Sequence, residues 1–120
     1  MNDTAIPQKG KNTAEKELIL VLSTAKNQPE ALKLAELLLK EKAAACVSVS
    51  SPVTSVYRWK GNIETEQEVM LFIKTVRDNY HRVERLIREN HSYEVPEIIA
   101  IPIIQGEGKY LQWMIDNTAA

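Results

Sequence analysis

Thiol chemistry is almost absent from this chain: Cys46 is the one cysteine in 120 residues. No intrachain disulfide can form, and a reducing compartment is the simpler setting. An excess of either charge is also missing, because 15 Lys and Arg against 16 Asp and Glu leave a net charge of −1. Nucleic-acid binding needs clustered, uncompensated basic residues, so that class of partner is not expected. No apolar stretch approaches the ~20 residues of a membrane span. Nor does an apolar run follow a basic start, as a secretory signal would require. A cytoplasmic protein with no membrane partner is the expectation. Glycines number four, and no glycine-rich phosphate loop, nucleotide fingerprint or nucleophile–base pair is visible, so an enzyme is not indicated.

The apolar share of 44% and charged share of 26% are those of a globular protein. The length suits one domain, able to bury roughly 65% of its unfolded surface without metal or disulfides. Residues 1–16 are polar and read as a flexible tail, leaving 17–120 as the domain. Glu17–Thr24 is a short apolar run and reads as a first strand. Pro29 and Glu30 suit the first turn of a helix. Its apolar residues Ala31, Leu34, Ala35 and Leu38 recur at helical spacing to about Lys42. Cys46–Trp59 is extended and interrupted near Pro52, as a bulge or bend would do. Gly61-Asn62 is the expected two-residue hairpin connection, and the returning strand runs from Ile63 to about Arg77. Asp78 is the expected cap of a second helix with the stripe Tyr80, Val83, Leu86 and Ile87. Glu97–Gln105 is the last strand, and Lys109–Asn117 a short third helix with Tyr110, Leu111, Met114 and Ile115 turned inward.

The order β-α-β-β-α-β plus a C-terminal helix predicts an α+β, ferredoxin-like split βαβ sheet with both main helices on one face. A solvated second face would carry polar residues at every other position. Instead Leu18–Leu22, Val69–Ile73 and Ile98–Ile101 are continuously apolar. Two helices cannot cover both sides, so other copies of the chain are the expected cover. The hairpin is too long for its own subunit and is expected to reach outward.

The strings Ala44-Ala45-Cys46-Val47, Tyr57-x-Trp59-x-Gly61, Ile63-Glu64 and Ile73-Lys74-Thr75 carry a specific pattern. His91-x-Tyr93-Glu94-x-Pro96-Glu97-Ile98 and Tyr110-Leu111-x-Trp113 continue it. Together, from about Leu18 to Trp113, they resemble the CutA divalent-cation tolerance family. The resemblance implies a P-II-like homotrimer of ferredoxin-like subunits with a long hairpin, a role in tolerance of copper and other divalent cations, and no catalysis. Bacterial members proposed to bind copper can have a cysteine at the end of the first strand and a second histidine before the His-Pro-Tyr stretch. Ser23 and Asn90 stand at those places here, and Ser92 stands where proline is usual.

Three residues are candidate metal ligands. Cys46 is a soft donor for copper, His91 an imidazole donor, and Glu94 a carboxylate that could join them from a distance. The competing readings are a small buried cysteine and a helix-terminal histidine. Glu64, Glu66 and Glu68 share a strand face and are expected to pair with Arg58 and Lys60 on the neighbouring strand. Tyr57, Trp59, Gly61 and Trp113 are expected at the oligomer interface, since tryptophan buries a large area with little entropy loss. Lys74, following an apolar run, is expected to be partly buried, paired with Glu94 or Glu97 or marking a cleft for a small anionic ligand. Tyr57, Lys74, Tyr93 and Glu97 would line such a cleft in a P-II-like small-molecule-sensing regulator. No cofactor is required, and copper or another divalent cation is the metal to test. An acylphosphatase-like activity is disfavoured, because Ser23–Asn27 offers no arginine to hold a phosphate.

Overall fold

The computed structural model describes residues 17–118; the tail expected at 1–16 lies outside the described residues. The chain runs β1 (Leu18–Ala25), α1 (Gln28–Lys40), β2 (Cys46–Val49), β3 (Val53–Trp59), β4 (Asn62–Val76), α2 (Tyr80–Asn90), β5 (Ile98–Ile103) and α3 (Gly108–Asp116). The main sheet has the order β2-β4-β1-β5, all antiparallel, and β3 continues the pairing along the outer half of β4. This is the ferredoxin-like arrangement that the element order predicts.

Helix α1 begins where Asn27 Oδ1 accepts the Glu30 amide at 2.9 Å, with Pro29 in its first turn. It stops at Lys40, two residues short of the expected end, because Lys42 takes a positive φ of 57°. Its buried residues are Ala31, Leu34, Ala35 and Leu38, and α2 buries Val83, Leu86 and Ile87. Both helices cover the face of the sheet formed by Ile19, Val21, Val69, Leu71 and Ile73. Side chains in a strand alternate between faces, so Leu20, Leu22, Met70 and Phe72 point the other way. On that second face α3 covers one end only, packing Leu111 and Met114 on Leu18 and Val76. Beyond α3 none of the described residues covers this face, and Ile99 and Ile101 on β5 are 51% and 44% exposed.

Two expectations about local chemistry are corrected. Asp78 does not cap α2 from a first position; it lies within a 3-10 turn, Arg77–Asn79, that leads into the helix. Asn79 precedes the helix, but its side chain is buried and donates to Ala43 O at 3.2 Å and Thr75 Oγ1 at 3.4 Å. The hairpin closes at Trp59↔Asn62, so its two-residue turn is Lys60-Gly61 and Asn62 belongs to β4. Both turn residues have positive φ, 51° and 82°, the signature of the primed turn that matches strand twist.

The expected interruption near Pro52 is a bulge with a countable effect. Val49 opposes Leu71 and Val53 opposes Glu68, so four steps on one strand match three on the other. The Ser50 hydroxyl accepts the Met70 amide at 2.8 Å and holds the chain through this step. Past the bulge the odd-numbered residues of β3 share a face with the even-numbered residues of β4. With a rise of ~3.3 Å per residue, the 15 residues of β4 extend about 50 Å, which accounts for the long 48 Å dimension of the molecule.

Candidate functional site

The register sets the chemistry of the ribbon. Val53, Ser55 and Tyr57 oppose Glu68, Glu66 and Glu64, while Arg58 opposes Ile63 and projects from the other face. The expected pairing of the three glutamates with Arg58 is therefore corrected; they share their face with Tyr57 and Trp59 instead. At the inner end of this face β1 finishes at Ala25, and the segment 91–97 folds across it. A groove of about 870 Å³ results, with Thr24, Tyr57, Trp59, Glu66, Glu68 and Tyr93 among its walls.

His91 fixes the segment that closes the groove. Its side chain is fully buried, and Nε2 lies 2.6 Å from Thr24 O. Nδ1 accepts the Tyr93 amide at 3.0 Å, which leaves Nε2 as the protonated nitrogen that donates to Thr24 O. Glu30 braces the same segment: Oε1 accepts from the Lys26 amide at 3.1 Å and Oε2 from the Ser92 amide at 2.8 Å. Burial pushes the Glu30 carboxyl up, but the hydrogen bonds from Ser92 and Lys26 and the nearby His91 ring outweigh it and hold the group below its ordinary value. Tyr93, so positioned, donates its hydroxyl to Glu68 Oε1 at 3.1 Å. Burial, then the bond to Glu68, raise the Tyr93 phenol well above its usual range. Tyr57 is raised too, by burial first and then by Glu66, Glu64 and Glu68. The groove is acidic.

Of the expected cleft residues, Tyr57, Tyr93 and Glu97 meet in this groove and Lys74 does not. Lys74 shares the sheet face with Glu68 but sits six residues further along β4, about 20 Å away by strand rise. It lies opposite Cys46, with Nζ 3.9 Å from Cys46 Sγ and 3.5 Å from Ser48 Oγ, not beside Glu94 or Glu97. The expected anion cleft thus lacks its cation. The three metal candidates are not brought together within one chain either. Cys46 and the His91 contact at Thr24 are four β4 positions apart, about 13 Å, on opposite flanks of that strand. Both His91 nitrogens are already engaged, and Glu94 faces the groove. Ser23, where the resemblance implies a cysteine, is buried among residues of the helix-facing side, and its hydroxyl has no hydrogen-bond partner among the described residues. Trp113 stacks on Tyr110 at 5.5 Å on the outside of α3, so Tyr110 is not turned inward as expected.

Sequence reasoning missed Glu66 and Glu68 as groove residues and Glu30 as the brace of segment 91–97. For the glutamates the signal was present, since alternation alone puts them on the Tyr57 side of a two-residue hairpin. For Glu30 no local signal exists, because its partner Ser92 is 62 residues away.

The family model for the CutA1 divalent ion tolerance protein matches residues 19–117. The chain belongs to this family. A divalent-cation tolerance protein CutA of Thermus thermophilus is 37% identical over 99 residues, 82% of this chain and 96% of that protein. A chloroplastic CutA of Arabidopsis thaliana is 39% identical over 100 residues, 83% of this chain and 55% of that longer one. The solved CutA1 of a psychrotrophic Shewanella superposes with a TM-score of 0.84 at 41% identity, covering 87% of this chain and 97% of that one. The family is named for ion tolerance and not for a reaction. No helix among the described residues is long and apolar enough to cross a membrane.

Proposed function

We propose that the protein acts without catalysis, as a cytoplasmic homotrimer of the divalent-cation tolerance type that binds copper or another divalent ion weakly and needs no cofactor. The bare apolar half of the second sheet face is the observation that carries the assembly. Leu20, Leu22 and Phe72 sit there beside the exposed Ile99 and Ile101, and their burial against copies of the chain removes apolar surface from water. The projecting ribbon, with Tyr57, Trp59 and Gly61, supplies reach. Weak metal binding is supported by the separation of Cys46, His91 and Glu94 within one chain.

Light scattering tests the assembly: the expected mass is three times the 13.6 kDa chain, and a folded monomer at micromolar concentration would overturn it. Copper titration of wild type beside His91→Ala and Cys46→Ser tests the metal reading: weak binding that falls further in the variants is expected, and identical affinities for all three would remove this metal site. Growth of a strain lacking the protein under copper challenge tests tolerance; rescue by wild type but not by an assembly-defective Ile99→Asp/Ile101→Asp variant is the expected result. A second reading, a P-II-like regulator that senses a small molecule, draws support from the groove.

A further inference from the structure

The open face of the sheet is charged with opposite sign at its two ends. Lys74 lies in one row with Leu20 and Ile101, and Phe72 in the next with Leu22 and Ile99. Further outward the same face of β4 carries Glu68 and Glu66, on the wall of the groove. Lys74 is half-buried, and among the described residues its amine meets only Cys46 Sγ at 3.9 Å and Ser48 Oγ at 3.5 Å, neither of them a carboxylate. At the other end Glu68 is held by the neutral Tyr93 hydroxyl. No ion pair joins Glu66 or Glu68 to a basic side chain among the described residues. Six residues of β4 separate the two ends, about 20 Å, or roughly two Debye lengths at ~0.1 M salt. They do not neutralise each other within one chain.

A second copy can neutralise them, and in one orientation only. With like ends together, Lys74 would face Lys74 and the glutamates one another, and like charges across an interface repel. Head to tail, the positive end of one face meets the negative end of the next. That is a heterologous contact, the kind from which a closed ring is built. We propose that this contact joins the copies, with Lys74 of the partner subunit entering the groove beside Glu66 and Glu68. The apolar rows supply the burial and the charged ends supply the direction. This rests on the homotrimer proposed above and adds a shared site to it. The cleft expected from Tyr57, Lys74, Tyr93 and Glu97, which lacks its cation within one chain, is then completed by two.

A charge-swap cycle read by light scattering tests this. Wild type, Lys74→Glu, Glu66→Lys and the double variant are compared by the chain concentration at which half the trimer has dissociated. All are measured in one urea concentration at which the wild-type trimer begins to dissociate, because urea loosens apolar contacts and, being uncharged, leaves ion pairs unscreened. Glu66 is chosen because it is exposed. Each single reversal is expected to raise the half-dissociation concentration about tenfold or more, and the double variant to return it to within about threefold of wild type. Such rescue cannot arise inside one chain, where the two positions lie too far apart to couple. Should Lys74→Glu fail to fold, Lys74→Met and Glu66→Gln make a second cycle, in which the double variant loses less than the two singles together. Additive effects, or single variants that dissociate no more readily than wild type, overturn this contact while the trimer stands. A wild-type monomer overturns the assembly reading and this contact with it.

Discussion

From Leu71 to Lys74, β4 lies between β1 and β2, with helices α1 and α2 over its odd-numbered side chains. From Asn62 to Gln67 the same strand pairs, among the described residues, with β3 alone and stays largely exposed. The outer half thus lacks one neighbouring strand, and it also lacks the layers stacked on the inner half. The inner half gains from area removed from water, at roughly 25 cal/mol per Å², and the outer half gains little until something covers it. The inner half should therefore set folding stability and the outer half recognition.

Substitutions in the two halves sharpen that contrast. Leu71→Ala, at a fully buried position of the inner half, is expected to cost about 2–5 kcal/mol through lost burial and a residual cavity, read from urea unfolding. Asn79→Ala, just past the inner end, removes donors to Ala43 O and Thr75 Oγ1; a loss of about 1–3 kcal/mol is expected on the same scale. At the outer end Gly61→Ala meets no neighbouring atom but retains φ of +82°. Its cost is conformational, about 1 kcal/mol, and should leave the unfolding slope unchanged. A larger loss there than at Leu71 would break the comparison.

The smallest effect is one of pH, at the brace between the halves. The Glu30 carboxyl is held below its ordinary 4.5 in the folded state. A depressed folded value adds stability above the unfolded pKa, and that stability is lost as pH falls through the folded value. Glu30→Gln should remove this acid-side slope below about pH 4.5 while changing stability at pH 4 by less than about 1 kcal/mol, since the group is partly solvated. Stability measured from pH 7 to pH 3 in both proteins checks the sign.

Much of the fold was legible because it rests on periodicity. The stripes of α1 and α2 and the continuous apolar runs of β1 and β4 each name a face without tertiary knowledge. The turn was misplaced because Gly61 serves equally as first or second residue of a two-residue loop; the error moves the register by two and so preserves faces. Asp78 misled because an N-cap signal cannot show that a 3-10 turn intervenes. Lys74 was assigned to the cleft on burial alone, and nothing local says how far along a strand a cleft lies. The groove itself is made by Tyr93 meeting Glu68 across 25 residues, and such a contact has no period to read.

The two-residue turn at Lys60-Gly61 has a consequence for how this surface can change over time. A strand has parity, and the turn sets it for the whole ribbon by holding Tyr57 opposite Glu64. Deleting one residue at the bulge between Ser50 and Val53 would leave that pairing in place and join β2 and β3 into one continuous partner of β4. Lengthening the turn by one residue would instead slide β3 by one against β4, turn Tyr57 and Trp59 to the far side and present Val56 and Arg58 to the glutamates. One added codon would then convert an acidic aromatic groove into one that carries its own cation. In this protein the identity of the groove is stored less in the residues that line it than in a count of odd and even.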